Sequence, residues 1–275
     1  MSVSQPATGT AGTLVRPVLA SLWSFWTEGR RVERACHLVG AGLIASGLFH
    51  LAVFAVDGGP WEGPVSWRKP TTFGLSFGLT LITIAWVTSF LRLRDRLRTA
   101  LLTVFALACV AETALITIQA WRHVPSHFDM ETPFNTVISM ALAIGGGVLI
   151  AVLVTLTVCA FRANEGVSAS TRLALRAGFV TLLIALASGA IMIARGVVLV
   201  RTGHQQEAYS AGGFLKPVHG VTMHGILVLP GLAWLLTFTG TTEPRRTRVI
   251  AQATAAYALA IIAVLVFSLT RALAG

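Results

Sequence analysis

Charge is what this chain has least of. Lys, Arg, Asp and Glu together supply 12% of its residues, against about 25% in ordinary soluble domains. Hydrophobic residues make up 55%, more apolar surface than a soluble core absorbs, so a water-soluble globular protein is excluded. Cysteine is equally scarce. Cys36, Cys109 and Cys159 sit in three separate apolar runs without a CxxC pair. That excludes a disulfide framework and leaves them as small packing residues. Lysine is missing from the interior of every apolar run, so a retinal-type Schiff base has no anchor.

What the chain does have is apolar length. A membrane span needs about 20 mostly apolar residues, and seven segments qualify: 36–56, 71–91, 100–120, 134–161, 173–200, 217–239 and 249–270. In lipid only helices and closed barrels satisfy their own backbone polar groups. Runs such as VLIAVLVTLTV lack the in-out alternation of a barrel strand. The fold class read from the sequence is therefore all-α, a polytopic bundle of seven transmembrane helices.

The net charge of +10 is a topology signal. Fourteen of the 21 Lys and Arg residues flank the same ends of the spans: Arg16, Arg30, Arg31 and Arg34, then Arg92, Arg94, Arg96 and Arg98, then Arg162, Arg172 and Arg176, then Arg245, Arg246 and Arg248. Arg68, Lys69, Arg122, Arg201, Lys216 and Arg271 mark the other ends. Excess cations mark the cytoplasmic face. The amino terminus is expected in the cytoplasm, the carboxy terminus outside, and the location is a multi-pass plasma-membrane protein. No nucleic-acid partner is implied. The partner is the lipid bilayer.

Residues 1–34 read as a cytoplasmic tail, disordered over 1–13, with an interfacial helix at 14–27 carrying Trp23, Phe25 and Trp26. No small-residue cleavage site follows it, so no removable signal peptide is expected. Residues 35–275 read as one seven-helix domain. The outward loops DGGPWEGPVSWRKP, WRHVPSHFDMETPFN and RTGHQQEAYSAGGFLKPVHG hold the Trp, His and Pro residues, which points to a site facing out. The Gly145–Gly147 run permits close helix packing.

Charges within spans cost roughly 2.5–3.5 kcal/mol each on insertion scales and are usually functional. Glu112 in the third span and Arg195 in the fifth stand out. Counted from the outer span ends, His50, Glu112, Arg195 and His224 all fall roughly 9–12 Å below the surface. Glu112, Gln119 and His123 share one helical face, Asn135 and Ser139 another, and Lys216, His219 and Met223 a third. The blander readings are a core histidine at His50, a structural Glu112–Arg195 ion pair, and snorkelling by Arg68, Lys69 and Lys216. His37 and His204 read as boundary and loop residues.

Three chemistries fit such a layer. Two histidines among His50, His219 and His224 hold a b-type haem iron axially, Arg68, Lys69, Arg122 and Lys216 clamp its propionates, and a membrane quinone or a redox protein exchanges electrons with it. Alternatively His50, Glu112 and one of His219 or His224 bind zinc with an open position for water, giving a hydrolase of lipids or small molecules. The same set suits non-haem iron. Glu112 and Arg195 are the candidate catalytic pair in either case. A third class is a transporter or ligand-binding membrane protein with no chemistry of its own.

The stretch HGVTMHGILVLPGLAW from His219 resembles the HGxxM helix of haem–copper oxidase subunit I. That resemblance implies haem ligation by His219, with Gly220 and Met223 in the matching positions. More broadly, SWRKP…FGLSF, QAWRHVPSHFD and KPVHGVTMHG…LP resemble the signature blocks of a bacterial, mainly actinobacterial, multi-pass membrane family of unknown function. That second resemblance implies membrane location only.

Overall fold

The computed structural model describes residues 12–210 and 212–274, and its regular elements are all helices. They are α1 (Gly12–Thr27), α2 (Arg31–Asp57), α3 (Arg68–Ser89), α4 (Asp95–Trp121), α5 (Pro133–Phe161), α6 (Ala169–Arg201), the short α7 (Gln205–Ala208), α8 (Lys216–Leu236) and α9 (Glu243–Ala274). Seven stretches among them are long and apolar enough to cross a membrane, those of α2–α6, α8 and α9. The expected disorder over 1–13 falls on residues 1–11, outside the described residues, and on Gly12 and Thr13, which begin α1.

Local chemistry sets the helix limits. Thr132 accepts a hydrogen bond from the Asn135 N–H at 3.2 Å, with Pro133 in the first turn, and so starts α5. Ser168 does the same for α6 through Thr171 N–H at 3.3 Å. The backbone N–H of Arg30 donates to Glu33 Oε2 at 2.9 Å, starting α2. His123, at φ 56°, turns the chain out of α4 two residues before Pro125.

The helices form an almost closed ring. Helices α3, α4, α5, α6 and α8 follow one another around the main apolar core; α2 lies against α3 and α4, and α9 against α6 and α8. The ring is thinnest between α3 and α8, which touch only sparsely. Helices α2 and α3 approach most closely. A Cβ on Gly74 would lie 2.8 Å from Gly47 Cα, and one on Gly40 would lie 2.9 Å from the Gly78 carbonyl. This seam, built on Gly74-x-x-x-Gly78, is the small-residue close packing that membrane helices use. The Gly145–Gly147 run is divided: a Cβ on Gly145 would collide with the Glu112 carboxyl of α4, whereas Cβ atoms at Gly146 and Gly147 would meet nothing within 4 Å.

The two ends of the bundle differ. At the arginine end lies a buried ion pair that the charge count takes for flanking residues. Arg98 is 2% exposed and faces Glu33 at 3.4 Å. It also donates to the Leu91 carbonyl at 2.9 Å and to the Thr88 carbonyl, tying α2, α3 and α4 where α3 ends. Helix α1 packs across the same end. Phe25 meets Trp86, Phe90 and Trp234 with ring centres 6.1–6.4 Å apart, and Trp234 Nε1 donates to Ser21 Oγ at 3.1 Å. The opposite end carries the long loops and is called the loop end below.

Candidate functional site

The predicted single layer does not assemble. His50 is buried, but its Nδ1 donates to the Ser46 carbonyl at 2.7 Å and its Nε2 accepts from Trp121 Nε1 at 3.1 Å. Its ring stacks on Trp67, whose own Nε1 donates to Asp57 at 2.6 Å. This is a satisfied core histidine. Trp121 lies nine residues beyond Glu112 on α4, about 13 Å of rise, so His50 sits well above Glu112. His219, on α8, turns to α6, its Nδ1 2.8 Å from the Ala185 carbonyl and 3.3 Å from Ser188 Oγ. Arg195 lies seven residues beyond Ser188 on α6, about 10 Å of rise. It is exposed, with its guanidinium 5.3 Å from the Phe214 ring centre. His224 is also exposed, its Nδ1 bonded to the Gly220 carbonyl at 2.6 Å on its own helix.

Glu112 is buried to 4% exposure, and its Oε1 has no hydrogen-bond partner among the described residues. The carboxyl packs on Gly145 of α5, where a Cβ would collide with Oε1. Among the described residues it forms no ion pair, so the alternative of a structural Glu112–Arg195 ion pair is not met. Nor do three metal-ligating side chains converge anywhere among the described residues. The histidines likewise do not fit an axial haem pair, because His50 Nε2 is taken by an indole N–H and His224 faces outward.

The loop end is instead a fixed polar cap. Arg122 donates to Gln119 and to Asn135 Oδ1, the latter at 2.7 Å, with its guanidinium 4.5 Å from the Phe134 ring centre. Asn135 Nδ2 donates to Asp129 Oδ2 at 2.8 Å, and Ser139 Oγ to the Asp129 carbonyl at 3.0 Å. Gln119 and Asp129 are almost wholly buried. Arg122 is thereby engaged through its Nη1 within this cap. His123 leaves the helical face it was expected to share with Gln119 and turns its ring edge to Trp67. The 122–132 loop lies over the ring: Phe128 seats on Gly196 of α6 and His127 packs by Phe73 of α3. Burial, with the nearby Lys69 charge second, pushes the His127 imidazole down to about 4. Arg68 pairs with Glu62 at 3.3 Å, Lys69 reaches Ser126 Oγ at 3.4 Å, and Lys216 is exposed.

The arginine end holds what the sequence reading passed over. A half-open groove of about 400 Å³, almost entirely apolar, lies where α3 and α8 part, roofed by α1. Leu79, Ile82, Leu227 and Gly231 form its walls, with Trp26, Trp86 and Trp234 as its aromatic frame. A smaller hollow of about 180 Å³ lined by Arg30, Glu33 and Ser89 shares Phe25, His37 and Trp86 with it. Among the described residues, Trp86 Nε1 is buried without an acceptor. His37 faces the Glu33 charge and makes no hydrogen bond among the described residues. Two unspent polar groups thus stand where an apolar chamber meets a polar one. The legible signal is Trp86 and Trp234 near the ends of two spans, on the side away from the long outward loops.

Fold and composition define a helical multi-pass membrane protein, with the bilayer as the environment of its outward apolar faces. No family model, curated protein or solved structure matches the chain.

Proposed function

We propose that this protein is a membrane-embedded binding protein for a lipid-soluble ligand of the isoprenoid-quinone class, held at the arginine end. The observation that carries the reading is the paired cavity with its unspent Trp86 N–H. Ligand pockets typically measure about 300–1,000 Å³, mostly apolar with a few placed polar groups, and the larger chamber alone is about 400 Å³. A flat dicarbonyl ring fits an aromatic frame by stacking. One carbonyl accepts from Trp86 Nε1, the other from His37, and the tail follows Leu79, Ile82 and Leu227. An unmet buried donor costs about 1–3 kcal/mol, and a carbonyl head removes that cost. This reading moves the expected quinone partner from the loop end to the arginine end, and it takes the ligand-binding alternative over haem, zinc or non-haem iron.

Gly231 makes the test clean. A Cβ there meets nothing within 4 Å, so Gly231→Leu fills the chamber without touching the backbone packing. In nanodiscs, a short-tailed naphthoquinone should quench the tryptophan fluorescence of the parent chain saturably. Gly231→Leu should weaken that binding at least about tenfold, roughly the 1.4 kcal/mol that a lost well-packed contact gives, at an unchanged unfolding temperature. Equal quenching curves for the two proteins would sink the reading.

A further inference from the structure

At the loop end, three cations stand in the first turns of α3 and α8, neighbouring helices of the ring. Arg68 and Lys69 open α3, and Lys216 opens α8. Lys69 feels the positive charges of both Lys216 and Arg68, and Lys216 feels Arg68. The carboxylate beside them is Glu62, 3.3 Å from Arg68 and itself largely in solvent, with 73% of its side chain exposed. Like charges held together raise the energy of the folded chain, and Lys69, half-buried, is poorly screened by water. Two residues before Arg68 in the chain, Ser66 Oγ is buried, at 7% residue exposure, and has no hydrogen-bond partner among the described residues. Ser126 Oγ lies 3.4 Å from Lys69 Nζ and 2.9 Å from the His127 ring. Arg122, engaged with Gln119 and Asn135, stays out of the group.

We propose that Arg68, Lys69 and Lys216 form a binding site for a phosphate-class anion at the loop end of the α3–α8 gap. The anion offsets the repulsion among the three cations, receives the two ammonium groups as point-charge donors and meets the Arg68 fork from the side opposite Glu62. Where the sequence reading clamps haem propionates with four cations, this site uses three of them and no iron. It is independent of the quinone reading, since no residue is shared between the two.

The experiment uses the full chain in nanodiscs of zwitterionic lipid. Inorganic phosphate is titrated at constant ionic strength against chloride, with Trp67 fluorescence and the unfolding temperature as readouts. A second arm places the protein in nanodiscs containing phosphatidylglycerol and counts retained lipids by native mass spectrometry. Saturable phosphate binding assigns the site to a soluble anion. Retention of phosphatidylglycerol without a phosphate response assigns it to a lipid headgroup. Lys216→Gln, at an exposed position, should weaken the responding ligand about fivefold, and Glu62→Gln should strengthen it by a similar factor. A gain of affinity cannot come from misfolding. No binding in either arm, or affinities untouched by both variants, overturns the proposal.

Discussion

Glu112 is a carboxyl group that the helices close over without offering it a donor. An ionised acid in that position would be strongly penalised, and Gly145, packed against the carboxyl, contributes only room. Removing an orphaned polar group of this kind should stabilise the fold. Glu112→Met is expected to raise the unfolding temperature in detergent, by roughly 1–3 kcal/mol in stability. Gly145→Ala, which pushes a methyl into Oε1, should lower it. A loss of stability in Glu112→Met would show instead that the carboxyl is engaged. The residue scale is also where the sequence was least legible. Glu112 and its burial followed from hydropathy alone, but its supposed companions did not. Depth counted from span ends assumes helices of equal length and tilt, whereas α8 has 21 residues and α6 has 33. Arg195 and His224 were misplaced for a second reason. Lipid and helix bundle are equally apolar, so no periodicity tells which side of a membrane helix faces inward.

Among the elements, the α2–α3 seam is the most exacting. Gly40, Gly47, Gly74 and Gly78 let two backbones meet, and each added Cβ would press on backbone atoms that have no rotamer to yield. Gly74→Val should therefore cost more than the roughly 1–3 kcal/mol typical of an overpacked core. Gly146→Val, where a Cβ meets open space, should stay within about 0.5 kcal/mol. Chemical unfolding of both variants in the same detergent checks the contrast, and equal losses would contradict it. The Gly74-x-x-x-Gly78 spacing is legible in the sequence, whereas the three adjacent glycines at Gly145–Gly147 look more permissive than they are, since only Gly145 meets a neighbouring helix closely. Element number and type were legible almost completely, because twenty-residue apolar runs leave helices little competition. The Arg98–Glu33 pair was hidden for the opposite reason. An arginine beside a span is what insertion requires anyway, so its second role left no trace in composition.

Taken whole, the molecule is a ring of helices with one thin seam, tied at one end by an irregular loop and at the other by the helix α1. At the loop end the tie is the 122–132 segment, and its weak point under acid is His127. The free imidazole titrates near 6.5, while in the folded chain burial and Lys69 hold it down to about 4. Between those values the unfolded chain takes up a proton that the folded chain refuses, so stability is full above about 6.5 and falls as the pH drops towards 4. Unfolding temperatures measured from pH 7 to pH 4.5 should decline. His127→Phe, which keeps the packing by Phe73, should flatten the decline. A parallel acid slope in the variant would assign the sensitivity elsewhere.

At the arginine end the tie is α1, whose Phe25 and Ser21 are fastened to tryptophans of α3 and α8. That arrangement makes the amino-terminal stretch a shutter over a slot, so trimming it to tidy an expression clone would leave a greasy trench ajar in the bilayer. Purification handles and reporter fusions for ligand work therefore belong at the carboxy-terminal end.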